Sequence, residues 1–258
     1  MCAASFLAVL HAFSGTGLFG ETYGPGTPTV LALHGWRRDH SDFDATLKEP
    51  DELPAVGVDL PGFGATPAPG APWGSRQYAD ALLPLVEEMA VPVVVLGHSF
   101  GGRVAVELAG AHPEVVRGLV LTGVPLFRPV GARRKSPLEF RLARRLARAG
   151  LLSETRMERY RQRYGSADYR AATGVMREVL VRLLAEQYDE VLSMIACPVE
   201  LVWGDDDAVA PLAVAERALE TLGPKANLVV CRAAGHLTPL SVPGELRSAI
   251  ERVSGARR

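Results

Sequence analysis

The sequence predicts an α/β protein: a mostly parallel sheet with helices on both faces and a helical segment inserted into it. Three observations carry this. Continuous apolar or β-branched runs at 29–33, 55–60, 93–96, 116–122, 199–203 and 227–231 have the pattern of strands buried on both faces. Amphipathic stretches separate them, which is the alternation of a parallel sheet. That alternation stops at Gly123, and from about Leu126 to Leu192 only helical periodicity remains.

Residues 1–13 are apolar but have no basic start, and His11 interrupts them. They read as a loose or strand-forming N-terminus rather than a signal peptide. Residues 17–23 alternate weakly before the turn cluster Gly24-Pro25-Gly26-Thr27-Pro28, which predicts an early antiparallel strand. The run at 29–33 ends in His34-Gly35-Trp36, and Ser41 with Asp42 is placed to cap a short helix through Lys48. After the strand at 55–60, the proline- and glycine-rich residues 61–75 must be loop. Helix signals follow over 75–89, where Pro84 should kink or divide the helix. His112-Pro113 ends the helix after the strand at 93–96. In the insertion, Leu138, Leu142, Leu146 and Ala149 share one helical face, and Arg141, Arg144, Arg145 and Arg148 share the other. Helices near 213–222 and 244–253 complete the chain.

The chain has 258 residues, 48% of them hydrophobic, enough for a sizeable core in one large domain or two small ones. A net charge of −1 gives no reason to expect nucleic acid or an anionic membrane as partner. Cys2, Cys197 and Cys231 are odd in number and lack C-x-x-C spacing, which argues against a disulfide framework and a zinc site. Cys197 and Cys231 each adjoin an apolar run and read as core residues. No window reaches eighteen apolar residues, so a soluble, cytoplasmic protein is expected.

The chemistry centres on Gly97-His98-Ser99-Phe100-Gly101-Gly102. In a chain with 26 glycines the bare G-x-S-x-G pattern is weak; the strand before it and the helix after it strengthen it. A serine on such a strand–turn–helix apex takes a strained φ and projects its Oγ above the sheet edge. Small residues are needed two positions either side, and Gly97 and Gly101 supply them. A serine nucleophile needs a base. His236, on the loop after the last predicted strand, lies on the same carboxyl edge, whereas His98 points away from its neighbour and His112 ends a helix. The imidazole in turn needs an acceptor, and Asp207 of Trp203-Gly204-Asp205-Asp206-Asp207 is the choice; Asp205 and Asp206 read as solvated turn residues. The alternating spacing of a calcium loop is absent there. For an oxyanion, the backbone N–H of Phe100 at a helix start and that of Trp36 are the expected donors. His34 reads as a hydrogen-bonding support.

Leu33-His34-Gly35-Trp36, Asp59-Leu60-Pro61-Gly62-Phe63-Gly64, Gly97 to Gly102, Trp203-Gly204 to Asp207, and Gly235-His236, in this order, resemble the blocks of serine-type α/β-hydrolases with a helical cap. The resemblance covers roughly residues 16–254 and is weakest in the cap. It implies an eight-stranded, mostly parallel sheet, an acyl-enzyme route and no cofactor or metal. The core would be 1–125 and 193–258, and the cap 126–192. Serine at 99 separates the chain from the epoxide hydrolase and haloalkane dehalogenase relatives, which have aspartate there.

The expected activity is hydrolysis of a small ester, thioester or related acyl bond. The same site suits C–C bond hydrolysis, lactone opening, aminopeptidase action or acyl transfer, and a low-turnover ligand-binding role is the alternative from another class. The substrate would be a small acyl molecule. Between Arg128 and Arg177 stand fourteen Lys or Arg against four Asp or Glu. These arginines either solvate the outer faces of cap helices, pairing with acids, or line an entrance and draw anionic substrates.

Overall fold

The apolar runs become the centre of one eight-stranded sheet. The structure, a computed structural model, describes residues 10–127 and 138–255. Its strands are β1 (His11–Ala12), β2 (Phe19–Tyr23), β3 (Val30–Leu33), β4 (Ala55–Asp59), β5 (Val93–His98), β6 (Val116–Thr122), β7 (Val199–Gly204) and β8 (Ala226–Cys231). Across the sheet they run β1-β2-β4-β3-β5-β6-β7-β8. The pairs β1–β2 and β2–β4 are antiparallel and all later pairs parallel. This is the α/β-hydrolase fold. Every residue of β3, β4, β5 and β7 is buried, so leucines such as Leu31, Leu33, Leu96 and Leu201 each contribute roughly 1.5–3 kcal/mol.

Around the sheet lie α1 (Asp44–Lys48), α2 (Ser75–Glu87) and α3 (Phe100–Ala111). Two readings of this half change. A 3₁₀ turn, His40–Phe43, precedes α1, and its cap is Asp39, whose carboxylate accepts the Ser41 N–H, rather than Ser41 or Asp42. Pro84 does not divide α2. A proline inside a helix costs about 3 kcal/mol. Burial of Leu82, Leu85 and Val86 on the same turns is worth more than that at roughly 1.5–3 kcal/mol each.

The chain divides into two compact units. The first holds the sheet, helices α1–α3 and residues 187–255, so Gln187 to Leu192, counted with the insertion by sequence, goes with it. The second contains, among the described residues, 70–72 and 138–186. It carries α4 (Leu138–Arg148), α5 (Glu154–Tyr164), α6 (Ala167–Ala171) and α7 (Gly174–Leu183). In α4 the buried residue is Ala143, with Phe140, Leu146 and Ala147 half-buried, whereas Leu142 is 57% exposed and Ala149 is exposed. The apolar face, through Phe140, Ala143 and Ala147, is therefore turned away from the one that leucine spacing predicts. Arg141, Arg144 and Arg145 are exposed as expected; the side chains of Leu138 and Arg148, and Arg128, Arg133, Arg134 and Lys135, lie outside the described residues. Back in the first unit, α8 (Asp189–Met194) sets Val191 over Gly110, where a Cβ would stand 2.5 Å away. The helices α9 (Leu212–Leu222), α10 (Thr238–Ser241) and α11 (Pro243–Ser254) complete it.

The block Asp59–Gly64 is a turn wrapped round a carboxylate. Asp59 Oδ1 accepts the His40 backbone N–H (2.9 Å) and Nδ1–H (2.7 Å), and Oδ2 accepts the Ala65 N–H (2.9 Å). Gly64 has φ +52°, and a Cβ there would stand 2.1 Å from Asp59 Oδ2, so glycine is required. The Asp59 bond, against burial, raises the His40 pKa. Burial alone would raise the Asp59 carboxyl, but its His40 and Ala65 bonds outweigh that and lower it. The His40 contribution to stability is thus complete below its unfolded pKa of 6.5 and is lost as pH rises through the raised folded value. The Asp59 contribution is lost as pH falls through its lowered value. Melting curves across pH 6 to 9 should accordingly show a Tm decline in the wild type that is flattened in His40→Gln. Parallel declines in both proteins would contradict this account.

Candidate active site

The turn from β5 into α3 is where the backbone comes closest to its neighbours. A Cβ at Gly97 would stand 2.6 Å from Gly102 Cα, one at Gly101 2.1 Å from the Leu33 carbonyl oxygen, and one at Gly102 2.2 Å from Val124 Cγ2. Gly102, unlike the other two, was not singled out by sequence, although its place in the Gly-Gly pair is the signal. Within this packing Ser99 adopts φ +50° and ψ −109°. That region costs a non-glycine residue about 1–3 kcal/mol and persists only where the surroundings over-determine it. They do so here. The Ser99 N–H donates to the Thr122 carbonyl on β6 (3.0 Å), and the Gly101 N–H donates to the His34 carbonyl beyond β3 (3.0 Å).

His236 and Asp207 meet this serine from the loops after β8 and β7. His236 Nε2 lies 3.0 Å from Ser99 Oγ, and Nδ1 lies 2.8 Å from Asp207 Oδ2. A carboxylate only accepts, so Nδ1 carries the hydrogen and Nε2 is free to take the serine proton. Asp207 is 4% exposed, and its Oδ1 accepts the N–H groups of Val209 and Ala210, both at 2.8 Å. Burial alone would raise its pKa, but the His236 bond and those amides outweigh it and hold it below the ordinary value, so the group stays ionised.

The two loops are joined to each other. Asp205 and Asp206 donate their N–H groups to the carbonyls of Cys231 and Ala234. The Asp205 carboxylate accepts the Ala233 N–H at 2.8 Å, holding Ala233 at φ +56°. Asp205 is therefore not a merely solvated turn residue: it shapes the histidine loop. Thr238, two residues past His236, shares a 2.6 Å hydroxyl bond with Thr122, which donates to the Val202 carbonyl. Gly123 lies against the acid–base pair; a Cβ there would stand 3.1 Å from His236 Nδ1 and 3.2 Å from Asp207 Oδ2.

The His34-Gly35-Trp36 turn is seated on the elbow. His34 Nδ1–H donates to the Gly35 carbonyl (2.7 Å), and Nε2 accepts the Leu60 N–H (2.9 Å), which couples the loops after β3 and β4. Burial lowers its pKa, so it serves as a neutral bridge. A Cβ on Gly35 would stand 3.5 Å from Ser99 Cβ. The Trp36 and Phe100 rings meet edge to face at 5.6 Å, and Phe63 packs on both. The Phe100 N–H, first in α3, has no acceptor within the helix. Among the described residues neither it nor the Trp36 N–H donates to another group. Of the other histidines, His40 bonds Asp59 and His112 bonds Asp80. Cys231 is buried and Cys197 half-buried, both as free thiols.

A model of the alpha/beta hydrolase family matches residues 30–249. The pimeloyl-[acyl-carrier protein] methyl ester esterase of Aromatoleum aromaticum is 33% identical over 253 residues, covering 88% of this chain and 98% of that one. Lipase LipV of Mycobacterium tuberculosis is 40% identical over 103 residues, which is 39% of each chain. Among solved structures, a thermophilic esterase from Thermogutta terrifontis is 26% identical with a TM-score of 0.66, covering 95% of this chain and 97% of that one.

Gly123 has φ +58°, so an alanine there would be strained as well as crowding the imidazole and carboxylate. Gly123→Ala is expected to reduce the rate of Ser99 modification by a fluorophosphonate roughly tenfold or more, with the far-ultraviolet circular dichroism retained. An unchanged rate would show that the pair tolerates displacement.

Proposed function

Because the chain belongs to the alpha/beta hydrolase family, we propose that it is a serine hydrolase cleaving carboxylic esters through an acyl-enzyme, with the inserted helical unit as its cap. The observation carrying this is the unbroken line of hydrogen bonds Ser99–His236–Asp207. As Ser99 Oγ attacks the ester carbonyl, its proton passes to His236 Nε2, and the Asp207 carboxylate stabilises the imidazolium. The N–H groups of Phe100 and Trp36 receive the oxyanion, each worth about 3–4 kcal/mol to the transition state. The proton then moves to the leaving alkoxide. Water, activated by the same imidazole, releases the acid and regenerates Ser99.

For the substrate, we infer an ester whose acyl group or its carrier is anionic. The relative named for a pimeloyl-[acyl-carrier protein] methyl ester supports this, as does the charge on the second unit. There Arg161 pairs with Glu154 and Glu158, and Arg177 pairs with Glu158. Arg156, Arg159 and Arg163 are exposed at i, i+3 and i+7 of α5, and among the described residues none makes an ion pair. With Glu139, Leu152 and Tyr160 they line an open depression of about 430 Å³, three arginines against one carboxylate, a shape suited to a charged surface rather than an enclosed small molecule.

Two experiments test these readings. On p-nitrophenyl acetate, Ser99→Ala should lower kcat roughly 10⁴-fold or more, and Asp207→Asn by about 10⁴-fold. Turnover surviving in Ser99→Ala would remove the serine mechanism. On a methyl ester carried by an acidic acyl-carrier protein, Arg156→Glu with Arg159→Glu should lower kcat/KM roughly tenfold at low salt and leave the neutral ester unaffected. Equal effects on both esters would rule out the anionic substrate.

A further inference from the structure

One histidine of the elbow has no part in the proton path. His98, beside Ser99 in sequence, is 1% exposed, and its Nε2 lies 2.9 Å from the carbonyl oxygen of His236, 138 residues away. A carbonyl only accepts, so Nε2 bears the hydrogen and Nδ1 is a bare acceptor. That Nδ1 is buried without a partner among the described residues. Gly35 closes over it so tightly that a Cβ there would stand 2.8 Å away. A buried acceptor left unsatisfied is unfavourable, and an aromatic hydrocarbon ring would fill the space without that penalty. What such a ring would lack is the Nε2–H.

The other ties of the histidine loop show what that hydrogen holds. Residues 231, 233 and 234 bond to the loop of Asp205 and Asp206. Those bonds make the acid and the base one assembly, but none of them joins it to β5. Of the described bonds, His98 to the His236 carbonyl is the one that links the backbone of residues 232–237 to the strand carrying the nucleophile.

We propose that His98 is a positioning residue for the general base: its Nε2–H fixes how far the joined Asp207–His236 assembly stands from Ser99. The inference rests on the serine-hydrolase reading and adds to it the element that sets the Ser99–His236 distance. The titratable groups facing the ring are His236 and Asp207 from the two loops and His34 from beyond β3. Burial first, and then the neighbouring His236, push the His98 pKa down to about 3, which keeps it neutral. The rings of His98 and His236 lie 4.9 Å apart, so a charge on His98 would oppose the imidazolium that forms during turnover.

The test compares His98→Phe, which keeps the bulk, with His98→Gln, whose amide N–H reaches the position of Nε2. Ser99→Ala and His236→Ala serve as references on p-nitrophenyl acetate. Loss of the tie should lower kcat roughly 10- to 100-fold with little change in KM, and His98→Gln should restore most of it. His98→Asn, whose amide stops short of the carbonyl, gives a polar variant impaired like His98→Phe and replaces it should that protein not fold. Nitrogen chemical shifts of the wild type should report the Nε2–H tautomer at His98. Wild-type kcat in His98→Phe or His98→Asn, no advantage of glutamine over both, or an Nδ1–H tautomer would each overturn the proposal. Turnover retained in Ser99→Ala and His236→Ala would instead overturn the hydrolase reading itself.

Discussion

The approach of the β5–α3 turn to the end of β3 is the constraint on which the rest of the site depends. The Gly101 backbone sits so close to the Leu33 and His34 carbonyls that no side chain fits, and its N–H bonds the latter. This closeness presses the β3 loop onto the elbow, which sets the Trp36 ring against that of Phe100 and Gly35 over Ser99. The strain at Ser99, about 1–3 kcal/mol, is small beside the burial of the strands that impose it. In the proposed reaction, tight backbone packing would prepare the arrangement before the substrate arrives, which is the condition for electrostatic stabilisation without reorganisation.

The same logic runs along the carboxyl edge of β5, β6, β7 and β8. Four neighbouring parallel strands end at one rim, so loops far apart in sequence meet there. Asp207 is held by two backbone amides besides its histidine, and so its charge survives burial. The Asp205–Ala233 bond and the Thr122–Thr238 hydroxyl pair brace the histidine loop from either end. Gly123 leaves room for the acid–base bond itself. In the proposed reaction these contacts matter because a proton transfer over 3 Å tolerates little displacement.

The second unit follows different rules. Its helices bury few large side chains, and Leu142, Leu151, Val181 and Leu184 are exposed. Some of its charges are neutralised internally, as at Glu158 between Arg161 and Arg177. The basic face of α5 is left over. In the proposed function such a surface would discriminate by charge rather than by close fit, and so by ionic strength as well.

Residue patterns by themselves determined the layer architecture, the strand positions and the serine at the apex of the β5–α3 turn, since each rests on local periodicity or on a turn only small residues can make. Tertiary structure decided the rest. Leucine spacing misplaced the buried face of α4, where Ala143 is buried and Leu142 exposed, since which face packs is decided by the helix's neighbours rather than by its own periodicity. Pro84 broke no helix because burial of its neighbours outweighs the propensity. The bonding of Asp205 to Ala233 and of His98 to the His236 carbonyl joins positions 28 and 138 residues apart, and no local pattern encodes such a meeting. Hydrogen bonds of that reach exist only once the sheet has brought its strand ends to one edge.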